Sequence, residues 1–133
     1  MNGDDALAAT LTREFPGLVA AYRFGSTVSG QTHRDSDVDV AILTDAPIGA
    51  TRLFDAKALL EETARTTIDL VDLLAANTVL RMQVISGGVP IVVREERSKA
   101  LFEDYVFSSY ARLNEERREI IERIRREGTV HGG

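Results

Sequence analysis

An α/β (α+β) domain on a mixed sheet is the fold class this sequence predicts, and three observations carry it. Segments with apolar residues at helical spacing alternate with short runs rich in Val, Ile and Tyr, in the order α-β-α-β-α-β-α-β-α. The densest of those runs, VDVAILT at 38–44, is closed by the turn residues DAP, as a buried strand should be. The length, 133 residues, suffices for one core and not for two ordinary ones, so residues 1–133 read as a single domain.

The elements follow in order. Residues 4–14 predict a helix, with Asp4 or Asp5 at its start, Leu7 and Leu11 on one face, and Pro16-Gly17 as the stop. LVAAYRFG (18–25) is a first strand ending in glycine, and STVSG (26–30) fits a short helix or turn. After the strand 38–44, Leu53, Phe54, Leu59, Leu60 and Ala64 place a helix over 51–65. TIDLVDLL (67–74) has strand composition, interrupted by Asp69 and Asp72. NTVLRMQVISGG (77–88) suits a helix capped by Asn77 and ended by Gly87-Gly88, and PIVVRE (90–95) a last short strand.

A long helix is predicted from 98 to 127. Phe102, Tyr105, Val106, Tyr110 and Leu113 form its apolar stripe, which makes both tyrosines core residues rather than stacking platforms. Its second half is highly charged, with Glu119–Arg123 and Glu122–Arg126 spaced for pairing one turn apart. Ile120, Ile121 and Ile124 share one face there, either folded back on the chain or serving as an anchor for a helical partner or a second copy.

Composition narrows the function. The net charge of −5 argues against direct binding to a nucleic-acid backbone, which needs a basic face. With no cysteine, thiolate metal sites, disulfides and a cysteine nucleophile are excluded. The start of the chain, MNGDDALAA, has neither the basic nor the apolar region of a signal peptide, and no apolar run approaches a membrane span. A cytoplasmic protein is the expectation.

The chemistry lies in FGSTVSGQTHRDSDVDVAILTD, residues 24–45, where four aspartates follow a Gly-Ser pair. Two carboxylates about 4 Å apart repel by roughly 4 kcal/mol at an effective dielectric of about 20, so a cation, a proton or solvent must relieve them. Asp37 and Asp39 are two apart at the start of a strand and share a face, the geometry for holding hard divalent cations. Gly25-Ser26, where the first strand feeds a helix start, offers unobstructed N–H groups and a hydroxyl to phosphate oxygens. Asp69, in the apolar strand 67–74, is a third acid that strand pairing can set beside the first two. Asp72 is an odd number of residues from Asp69 and faces the other way, and Asp35 reads as a loop acid. A phosphate grip with three carboxylates fits two-metal phosphoryl chemistry. His33, between grip and acids, reads as a solvated loop residue.

GSTVSGQTHRDSDVD, a Gly-Ser followed after ten residues by D-x-D, resembles the signature of the polymerase β-like nucleotidyltransferase superfamily. Length and layout are similar to its minimal members, specifically the MntA-like adenylyltransferase antitoxins encoded beside HEPN-domain toxins. The resemblance spans most of residues 5–113. It implies a nucleotidyltransferase fold, a small mixed sheet flanked by helices with a long C-terminal helix. It also implies an enzyme that uses Mg²⁺ and ATP to move AMP onto a tyrosine of the partner toxin, silencing a ribonuclease. Carried over, Gly25 and Ser26 hold the triphosphate, and Asp37 and Asp39 bind two Mg²⁺ ions. Asp69 binds one of them and acts as base toward the acceptor hydroxyl. This chain departs from the pattern in having Thr27 and Ser29 where relatives carry basic residues, which leaves Arg23 or Arg34 to supply a cation. Two other readings stand beside it. One is nucleotidyl transfer to a small molecule such as an aminoglycoside, which normally needs a second domain to hold the acceptor. The other is a non-catalytic antitoxin that acts by binding.

Overall fold

The computed structural model describes the backbone of residues 3–25 and 37–131, and side chains as far as residue 128. The predicted turn at 26–30, and with it Ser26, His33, Arg34 and Asp35, lies outside the described residues.

Among the described residues the order is α1 (Gly3–Glu14), β1 (Leu18–Phe24), β2 (Val38–Thr44), α2 (Ala50–Ala64), β3 (Ile68–Asp72), α3 (Thr78–Gly87), β4 (Val89–Val93) and α4 (Glu96–His131). Each predicted segment outside 26–30 is present, most within one or two residues of its expected ends. The start of α3 is set by its cap: the Asn77 side chain accepts the Leu80 N–H at 2.8 Å. The four strands form one sheet in the order β3-β2-β1-β4. β1 runs antiparallel to both β2 and β4, whereas β2 and β3 are parallel, their crossover made by α2.

Helices cover both faces. On one, Leu7, Leu11 and Phe15 of α1 and its exit turn, with Ala56 and Leu60 of α2, pack on Ala21, Val40, Ile42, Ile68 and Leu70. On the other, Val84 of α3 and Phe102 of α4 lie against Ala20, Tyr22, Ala41, Leu43 and Leu73. Alternation along β2 therefore sends Val40 and Ile42 to the α1–α2 face and Ala41 and Leu43 to the α3–α4 face. Both central strands are buried at nearly every position, as a sheet covered on two faces requires.

The first turns of α4 are tied to the sheet by a buried phenol. Tyr22 Oη donates to Glu103 Oε2 at 2.9 Å, and Lys99 Nζ closes on the same carboxylate at 3.1 Å. Burial and that carboxylate push the Tyr22 hydroxyl well above its ordinary pKa, so it stays a neutral donor.

Two expectations for α4 are corrected. Tyr105 is 60% exposed and not a core residue; Val106, one position on, is the buried one. Neighbours on a helix are about 100° apart, so both cannot face the sheet, and the branched aliphatic side chain takes the inner place. Among the described residues neither Glu119–Arg123 nor Glu122–Arg126 closes to an ion pair, while Lys57–Glu61 and Lys99–Glu103 do. An exposed pair of this kind gains only about 0.3–0.5 kcal/mol, too little to hold two long side chains against water.

Candidate active site

Strand register brings the sequence-predicted acids together. Asp39 of β2 is directly opposite Asp69 of β3 on one side and Phe24 of β1 on the other. Gly25 follows Phe24 at the end of β1. Across the sheet the row therefore reads Gly25 and Phe24, then Asp39, then Asp69, with Asp37 just before β2. Asp39 shares its face with Ala41 and Leu43, and Asp69 shares its face with Leu73, so both carboxylates lie on the α3–α4 side.

Asp39 is half-buried, whereas Asp37 and Asp69 are exposed. Burial pushes the Asp39 carboxyl above the ordinary carboxylate range. The negative charges of Asp69 and Asp37 add to this, and so does a side-chain hydrogen bond with Asp69. Among the described residues no three acidic or histidine side chains converge tightly enough to cage an ion by themselves. That suits Mg²⁺, which takes one or two carboxylates and fills its remaining positions with water and substrate phosphates. Three like-charged oxygen donors at one end of the sheet fit such an ion.

Gly25 is required here for two reasons. Its φ of +80° is in the left-handed region, and a Cβ on it would collide with the Asp39 carboxylate. Gly25 and Asp39 are thus in contact, with no room for a side chain between them.

The candidate cation is corrected. Arg23 pairs across the sheet with Val40, so its side chain leaves on the α1–α2 face, away from the acids. There its Nη1 lies 3.5 Å from Asp4 of α1, and its buried Nε has no hydrogen-bond partner.

Asp72 is buried on the face opposite Asp69, as its odd spacing predicts. Its carboxylate accepts the N–H of Leu74 at 3.0 Å and of Ile48 at 3.3 Å, which fixes the end of β3.

One anchor near the row was not read from the sequence. Glu61, in the last turn of α2, accepts the Ile68 backbone N–H at 2.9 Å, one residue before Asp69. Lys57 holds the same carboxylate at 3.0 Å. The Ile68 N–H, then Lys57, keep the Glu61 carboxyl below its ordinary pKa. Its signal is K-x-x-x-E ending a helix just before a strand, which looks like any surface pair until the strand is placed.

The fold and the row agree with what the chain is similar to. Residues 7–97 match the family model described as polymerase beta, nucleotidyltransferase. The chain belongs to the polymerase beta nucleotidyltransferase family. Within it, the chain is 31% identical over 121 residues to the protein adenylyltransferase MntA of Shewanella oneidensis, covering 91% of this chain and 86% of that protein. A solved toxin–antitoxin structure with AMP-PNP superimposes with a TM-score of 0.80 at 30% identity, over 91% of this chain and 97% of the other. The MNT antitoxin solved in complex with the tri-AMPylated HEPN toxin of Shewanella oneidensis gives a TM-score of 0.76 at 27% identity, covering 92% and 95%. Among the described residues no helix is long and apolar enough to cross a membrane.

Proposed function

We propose that this protein is a Mg²⁺-dependent protein adenylyltransferase. It moves AMP from ATP onto a tyrosine hydroxyl of a HEPN-type toxin and acts as that toxin's antitoxin. The observation that carries the reading is the order of groups across the sheet: the open glycine, then the half-buried Asp39, then the exposed Asp69 on the edge strand. Asp69, the exposed acid on the edge strand, is on the side open to a macromolecular acceptor. The likeness to a protein named as an adenylyltransferase, and to an antitoxin solved beside an AMPylated HEPN toxin, supports the same substrate and partner.

In this mechanism Gly25 and Ser26 lend N–H and hydroxyl donors to the triphosphate. Asp37, Asp39 and Asp69 would hold two Mg²⁺ ions through their carboxylate oxygens, and the metal would supply charge neutralisation at the reacting phosphate. Asp69 takes the proton from the acceptor hydroxyl as its oxygen bonds to the α-phosphorus. The bond from that phosphorus to the β-phosphate oxygen breaks, and pyrophosphate leaves. The deciding experiment incubates the protein with ATP labelled at the α-phosphate, Mg²⁺ and its cognate HEPN partner. Label should appear on the partner and not with EDTA; label on neither protein would overturn the reading.

The distal half of α4 is the docking element in this proposal. The 36 residues of α4 span about 54 Å, against a radius of gyration of about 14 Å for a chain of this size. Val106 is buried and Leu113, seven residues on, is half-buried, and Ile120 follows at the same spacing of seven. Yet Ile120, Ile121 and Ile124 are 51%, 47% and 61% exposed, so they do not fold back on their own chain. A helix of the HEPN partner is the occupant proposed. Deleting residues 115–133 should weaken co-purification with the partner at least about tenfold while leaving the melting temperature within a few degrees, since among the described residues no core side chain is lost. Undiminished pairing would remove α4 from the interface.

A further inference from the structure

We infer that Glu61 is the positioning residue for Asp69, a role that rests on the proposed reading only insofar as Asp69 is the base. β3 is an edge strand whose one strand neighbour is β2. At its start the peptide joining Thr67 to Ile68 turns its carbonyl inward, where Val38 N–H donates to it at 3.0 Å. In a trans peptide the N–H points the opposite way, so Ile68 N–H faces out from the sheet edge. Glu61 Oε2 accepts it at 2.9 Å. The same residue's carbonyl accepts Arg65 N–H at 2.8 Å, closing α2 on a left-handed residue with φ 56°. Glu61 thus clamps both ends of the three-residue connection 65–67 that delivers Asp69, and Lys57 Nζ fixes the clamp at 3.0 Å.

This matters more for Asp69 than for Asp39. Asp39 lies in a central strand with a bonded strand on each side, whereas Asp69 is one residue from the free start of an edge strand. A base must stay within hydrogen-bond reach of the proton it takes, and a misplacement of about 1 Å can cost about a hundredfold in rate. Without Glu61 the first peptide of β3 keeps one hydrogen bond, and Asp69 gains freedom that Asp39 does not.

The test combines kinetics with a readout independent of turnover. Glu61→Ala should lower kcat for AMP transfer about tenfold or more with the KM for ATP within about threefold, because nothing at Gly25, Asp37 or Asp39 changes. Glu61→Gln, whose amide oxygen still accepts the Ile68 N–H, should recover most of that loss. In the free protein, hydrogen exchange of the peptide covering 65–70 should speed up in Glu61→Ala while β2 stays protected. Unchanged exchange, or a kcat equal to the parent's beside normal transfer, would overturn the role of Glu61. A parent protein that transfers no AMP would overturn the proposed reaction instead, and the exchange data would then decide by themselves whether Glu61 holds Asp69 in place.

Discussion

Asp39→Asn should reduce AMP transfer by about a thousandfold or more and leave the free protein at least as stable as the parent. Asp39 is the centre of the row: it contacts Gly25, faces Asp69 and feels Asp37. Asparagine keeps the shape and one oxygen but removes the charge that in the proposed site holds a divalent cation against the triphosphate. Preorganised charge at a reacting phosphate is commonly among the largest catalytic contributions, and one lost hydrogen-bond donor of that kind costs about a hundred- to a thousandfold. In the free protein the same change removes a partly buried carboxylate from two like charges, so the melting temperature should hold or rise. Rate and melting curves on one preparation check both halves. A large loss of stability would mean that Asp39 is structural.

Asp69→Asn should be as damaging to transfer yet spare nucleotide binding. Loss of a positioned general base costs about a hundred- to ten-thousandfold. Asp69 is exposed at the outer side of the row, while in the proposed site the nucleotide is gripped at Gly25, Asp37 and Asp39. Transfer rate should therefore collapse while the dissociation constant for Mg-ATP, read by calorimetry, moves less than about tenfold. In Asp39→Asn both should worsen. Asp72 is the control: it faces the other side of β3 with its oxygens taken by Leu74 and Ile48 N–H groups. An active Asp69→Asn beside an inactive Asp72→Asn would reverse the assignment.

Much of this was legible in the chain because the strands obey a period of two. VDVAILT marked the buried strand and the side of it that Asp39 takes, and odd spacing separated Asp69 from Asp72. Pairing is where sequence runs out. Nothing local says that Asp69 lies opposite Asp39 rather than one rung away, since register follows from packing of Ile68 and Leu70 against α2. The same gap hid the direction of Arg23, whose partner Val40 sends it to the α1–α2 face. Helix stripes are wide enough to misplace a neighbour, so Tyr105 was grouped with the core that Val106 fills. Glu61 was invisible for another reason: its partner is a backbone N–H, which has no letter in the sequence.

The carboxylate row as a metal–nucleotide site is tested most directly by a thermal melt of the full chain in ATP with Mg²⁺ against ATP with EDTA. A divalent cation relieves the like-charge pressure on Asp39, and binding stabilises by mass action, about 2.7 kcal/mol at a hundredfold excess over the dissociation constant. For a domain of this size that is a rise of several degrees with Mg-ATP, absent in EDTA and absent in Asp39→Asn. Superimposable curves at millimolar ATP, with and without Mg²⁺, would contradict it.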